Sequence, residues 1–117
     1  MYFPPEVDLL ETLTAGDESL NLALQIFLRV YGEEALERAR HVVGIYVKTG
    51  LIELVEVSSS DKRVLEAWQI RPVLADEVNW RPHASEEQSY LLRLTQKGYD
   101  AFVRDSEGFF KRLFAKQ

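Results

Sequence analysis

Residues 33–57 read EEALERARHVVGIYVKTGLIELVEV, and no other stretch limits the fold as tightly. At 100° per residue, Leu36, Ala39, Val43, Tyr46 and Val47 fall on one side of a helix. Glu34, Glu37, Arg38, His41, Gly44, Ile45 and Lys48 collect on the other. Glu33 and Glu34 open this helix with negative charge, which suits the positive end of a helix dipole. Thr49-Gly50 is a helix stop, because glycine enters the left-handed region that such stops use without a side-chain clash. The apolar run over 51–57 then reads as a buried strand joined to the helix with no linker.

The flanking sequence supplies further elements. Pro4 and Pro5 suit a first helical turn, and Val7, Leu9, Leu10 and Leu13 give an apolar face through Thr14. After Ala15-Gly16, Asp17 is the expected N-cap of a helix over 18–31. That helix would bury Leu20, Leu24, Phe27 and Leu28, with Ala23, Ile26 and Val30 widening the stripe, near the centre of the core. Residues 58–61, Ser-Ser-Ser-Asp, are turn material. The segment 63–70, RVLEAWQI, alternates Val64, Trp68 and Ile70 onto one face and completes a hairpin. Residues 71–89 hold Pro72 and Pro82 and read as one or two helical turns or an extended excursion. A strand over 90–94 aligns Tyr90, Leu92 and Leu94, and Thr95 caps a helix over 96–104 that buries Tyr99, Phe102 and Val103. Ser106 caps a last helix carrying Phe109, Phe110, Leu113 and Phe114.

At 117 residues the chain is expected to form one domain. Hydrophobic residues at 46% with 28% charged argue for a packed core and against disorder. No apolar run reaches the roughly 20 residues of a membrane span. The start, MYFPPEVD, has neither the basic nor the apolar region of a signal peptide, and there is no cysteine. The expected location is cytoplasmic. The net charge of −5 weighs against a dedicated nucleic-acid binder, whose affinity comes largely from neutralised phosphates.

Helix, Gly-Leu-Ile, strand, then a second strand entering Leu-Thr-x-x-Gly and another helix over 90–102: this combination resembles the winged-helix DNA-binding fold, and most of all the MarR- and PadR-type bacterial regulators. The resemblance implies an α+β winged-helix domain spanning 1–117. It would have three N-terminal helices, a β-hairpin wing extended by an insertion at about 58–89, and C-terminal helices at about 95–116. It implies that the third helix lies in a major groove, with Arg38 and Arg40 on guanine or phosphate, Lys48 on phosphate, and His41 among the facing residues. Lys62 and Arg63 would form the basic wing tip, with Arg71 and Arg81 extending it if the insertion folds back. Phe109, Phe110, Leu113 and Phe114 would pack on the domain's own first helix or, as the resemblance implies, form a homodimer contact. The function so implied is a transcriptional regulator that binds duplex DNA.

The residues themselves support a competing expectation. Glu33, Glu34 and Glu37 would approach the same polyanion as the arginines. Solvated pairs at helix spacing, Glu34–Arg38 and Glu37–His41, account for that face as well. The alternative is an acidic protein–protein interaction module that does not bind DNA. A third is a small-molecule sensor with an aromatic pocket around Trp68 and Trp80. His41 and His83 sit in separate elements, so no metal site is expected. Asp76-Glu77 and Glu86-Glu87 lack the apolar setting of acid–base pairs, and no phosphate-binding glycine loop is present. Neither an enzyme nor a cofactor is expected.

Overall fold

A computed structural model of the chain describes residues 4–58, 61–82 and 88–104. Among these, the α-helices are α1 (Pro5–Thr14), α2 (Leu20–Tyr31), α3 (Ala35–Lys48), α4 (Ala67–Ala75) and α5 (Gln96–Arg104). The strands are β1 (Glu18–Ser19), β2 (Ile52–Ser58), β3 (Asp61–Val64) and β4 (Gln88–Leu94), with short 3₁₀ turns at Gly32–Glu34 and Glu77–Trp80. The strands form one antiparallel sheet in the order β1-β4-β2-β3. This α+β arrangement is compatible with the winged-helix expectation.

The junction from α3 into β2 forms as its sequence dictates. Gly50 has φ 81°, and the Leu51 N–H donates to Tyr46 O at 2.9 Å while the Gly50 N–H donates to Val47 O at 3.1 Å. These two bonds satisfy carbonyls that the helix end would otherwise leave open. The Leu-Thr-x-x-Gly motif is held by one local bond and by contacts across the fold. The Thr95 hydroxyl lies 2.6 Å from Gly50 O and accepts from the Gly98 N–H at 3.0 Å, tying the start of α5 to the end of α3. A Cβ on Gly98 would run into the Leu51 carbonyl oxygen and into Leu94 Cδ1, so only glycine allows this approach.

The core joins Leu9 and Leu10 of α1, Phe27 of α2, Val42, Val43 and Tyr46 of α3, Leu54 of β2 and Leu92 of β4. Three expectations are corrected here. First, α2 begins at Leu20, with Ser19 Oγ accepting from the Leu22 N–H at 3.1 Å. Glu18 and Ser19 are taken up by pairing with Leu92 and Leu91, and Asp17 faces Arg93 at 3.3 Å. Second, α2 buries Leu20, Ala23, Ile26 and Phe27 among α1, α3 and the sheet, but Leu28 and Val30, expected to be buried with them, are 42% and 48% exposed. In the same way Tyr99 and Val103 of α5 are exposed, while Gly98 is buried and Ala101 and Phe102 are partly buried against the core.

Third, 63–70 is not one strand. Pairing with β2 ends at Val64, and the Leu65 N–H gives a last bond to Leu54 O at 2.9 Å. Glu66 and Gln69 then form a capping box, with the Glu66 N–H donating to Gln69 Oε1 at 3.0 Å. The chain therefore turns into α4 instead of continuing the sheet, and Trp68 stands 73% exposed. Pro72, inside α4, cannot donate to the Trp68 carbonyl one turn back, so the helix has little strength of its own. Phe109, Phe110, Leu113 and Phe114 lie outside the described residues, as do His83, Glu86, Glu87 and the turn residues Ser59 and Ser60.

Candidate functional site

The insertion determines what the outer face of α3 meets. Arg40 Nε donates to Leu74 O at 2.9 Å and Arg40 Nη2 donates to Ala75 O at 3.0 Å, so a guanidinium caps the C-terminal end of α4. The same carbonyl of Leu74 accepts from Trp80 Nε1 at 2.9 Å. Trp80 is fully buried, and its own carbonyl accepts from Asn21 Nδ2 at 2.9 Å, which fastens the end of the insertion to α2. α4 is thereby clamped against α3, although neither its length nor its proline favours an independent helix.

Between α3 and α4 runs a cleft of about 1120 Å³. From α3 it is lined by Glu37, Arg40, His41, Gly44, Ile45, Val47 and Lys48, and from α4 by Ala67, Ile70, Arg71, Leu74 and Ala75. Ile52 and Leu54 of β2, with Val64 and Leu65, complete the apolar part. Its charged groups are three cations, Arg40, Lys48 and Arg71, and two carboxylates, Glu37 and Glu53, with His41 beside them. Of the two carboxylates, Glu53 stands 3.9 Å from Arg93. Lys48 and Arg71 are exposed, and no ion pair holds either among the described residues.

The residues expected to meet DNA separate into three groups. Arg40, His41 and Lys48 share the cleft. Arg38 is turned away from it: Arg38 Nη2 lies 3.2 Å from Glu6 Oε1, and its guanidinium sits 5.7 Å from the centre of the Tyr31 ring. Its ion pair with Glu6 is not among the expected ones. Lys62 and Arg63 lie on β3 outside the cleft, Lys62 exposed and Arg63 paired with Glu56 at 3.0 Å. Arg71, expected beside the wing, is in the cleft, and Arg81 pairs with Glu77 at 3.9 Å. Trp68 and Trp80 do not enclose a common pocket, since one is exposed and the other is core.

The Glu6 cluster has no counterpart in the sequence reading. Glu6 is 7% exposed; Tyr31 Oη donates to its Oε1 at 2.6 Å, and Tyr46 Oη donates to its backbone O at 2.6 Å. Burial, followed by the nearby Glu6 charge, pushes the Tyr46 phenol well above its usual range. Burial and the Glu6 hydrogen bond act the same way on Tyr31. A carboxylate bonded to a tyrosine and an arginine is satisfied, so this cluster reads as a structural tie among α1, α2 and α3. Among the described residues no group of three or more His, Cys, Asp or Glu could hold a metal ion, and no helix is long and apolar enough to cross a membrane.

Comparison with protein-family models, curated proteins and solved structures finds no match to the chain.

Proposed function

We propose that this chain is a non-catalytic protein-interaction module on a winged-helix-like scaffold, with the α3–α4 cleft as its contact surface. The observation that carries the reading is Arg40's capping of α4. Arg40, one of the two arginines expected to meet DNA, is spent on carbonyls of the insertion, and α4 packs beside α3. The cleft that results joins apolar side chains to three cations and two carboxylates, and exposed Trp68 follows the lining residue Ala67 in the chain. Aromatic and arginine side chains around an apolar depression are the composition of interface hot spots.

Duplex DNA is the second reading. Its support is the pairing of β1 with β4, in keeping with a winged helix, and exposed Lys62 on the β2–β3 hairpin.

Fluorescence anisotropy of labelled genomic duplex fragments, at low and near-physiological salt, separates the two. The interaction reading expects weak binding at low salt, equal among fragments, that vanishes as salt rises. Fragment-selective binding that persists at near-physiological salt, and that Lys48→Ala weakens, would overturn it. A photo-crosslinking residue at Ile45 supplies the positive arm: it should join a protein partner, whereas the same group at Leu28 on α2 should not.

A further inference from the structure

Gly44 stands in the middle of α3, where a glycine weakens a helix relative to alanine. Its φ is not in the left-handed region, and a Cβ built there meets nothing within 4 Å. The fold of the free chain therefore has no use for the missing side chain, in contrast to Gly98. Gly44 does line the cleft, between His41 and Lys48 one turn away on either side. Glycine at such a point leaves helix backbone open to close approach by another backbone.

Resting on the proposed interaction surface, we propose that the occupant of the α3–α4 cleft is an acidic amphipathic helix of a protein partner, crossing α3 at Gly44. Size supports a helix. A helical turn with its side chains fills roughly 400–600 Å³, taken as a cylinder of ordinary helix diameter and pitch, so a cleft of about 1120 Å³ accepts about two turns. Apolar contacts then come from Ile45, Leu65 and Ile70, which would receive the i, i+3, i+4, i+7 anchors of an incoming helix. Val64 on the cleft wall and Trp68, next in the chain to the lining residue Ala67, are exposed apolar side chains.

Charge supplies the sign. The chain as a whole is acidic at −5, yet Lys48 and Arg71 stand on opposite walls of this cleft with no carboxylate pairing either among the described residues. Asp or Glu flanking the apolar stripe of the incoming helix would meet both, while a basic helix would meet only Glu37 and Glu53, the second already 3.9 Å from Arg93, against the three cations Arg40, Lys48 and Arg71.

The test uses the full chain as bait for a displayed library of helix-forming peptides about 15 residues long, followed by affinity measurement of the enriched peptides. The expected winners carry Leu, Ile or Phe at helical spacing with Asp or Glu beside them. Their affinity should fall roughly tenfold or more in Gly44→Leu and in the Lys48→Glu, Arg71→Glu pair, and stay level in Lys62→Glu. Gly44→Ala serves as the folding control: its melting temperature should rise while peptide affinity falls. Basic or uncharged winners that Gly44→Leu still abolishes would overturn the acidic-helix inference and leave the cleft as an interaction surface. Acidic winners indifferent to Gly44→Leu would overturn the crossing at Gly44. No enriched peptide, together with salt-resistant binding of duplex DNA, would overturn both the inference and the reading beneath it.

Discussion

Two glycines of this chain have opposite roles, and each role follows from what surrounds the missing Cβ. At Gly98 the space is filled by the Leu51 carbonyl and Leu94. Gly98→Ala should therefore destabilise by about 1–3 kcal/mol or more, the usual range for forced overpacking, read as a lower urea midpoint with an unchanged slope. At Gly44 the space is open, and Gly44→Ala should stabilise by about 0.5–1 kcal/mol through helix propensity alone. Tyr46 gives a residue-scale prediction on pH. Its folded-state pKa is raised by burial and by Glu6, so the folded chain keeps the phenolic proton at pH values where the unfolded chain has lost it. The associated stability is whole below about pH 10, the unfolded value, and declines above it by up to about 1.4 kcal/mol per pH unit. Denaturant titrations across pH 8–11 should show that decline, and Tyr46→Phe, less stable at neutral pH for want of its bond to Glu6 O, should show a shallower one.

Among the elements, α4 owes most to its neighbours. Its start is set locally by the capping box of Glu66 and Gln69, but a nine-residue helix with an internal proline does not persist alone. Arg40→Met keeps much of the side chain's apolar stem while removing the two donors to Leu74 O and Ala75 O. The expected cost is about 1.5–3 kcal/mol, as for hydrogen bonds made by a charged group. Amide exchange should quicken first in α4 while α3 and β2 stay protected. Trp80→Ala should be harsher, about 3–5 kcal/mol, because it empties a fully buried site and also strips a donor from Leu74 O. Trp68→Ala, at an exposed position, should leave the urea midpoint nearly unchanged while weakening any partner that binds the cleft.

For the whole molecule, the sheet order and the clamped insertion together decide which surface is offered to a partner. The sequence alone determined the segments governed by neighbours in the chain. The α3 stop at Thr49-Gly50, the strand after it and the Thr95 cap follow from hydrogen bonds within a few residues or from one repeated periodicity, whereas the need for glycine at 98 comes from Leu51, which the fold brings beside it. It determined the apolar side of α3 for the same reason, since helical spacing places Ala39, Val43 and Tyr46 together whatever they pack on. The break within 63–70 was also legible in Glu-x-x-Gln, although the alternation of Val64, Trp68 and Ile70 competes with it. Only the tertiary structure decided the partners of the charged residues. Nothing local to Arg38 selects Glu6, 32 positions away. Nothing local to Arg40 selects the end of α4, 34 and 35 positions ahead. A long cationic side chain reaches whatever unsatisfied oxygen the packed core brings near it, and the core is set by the apolar pattern of the entire chain.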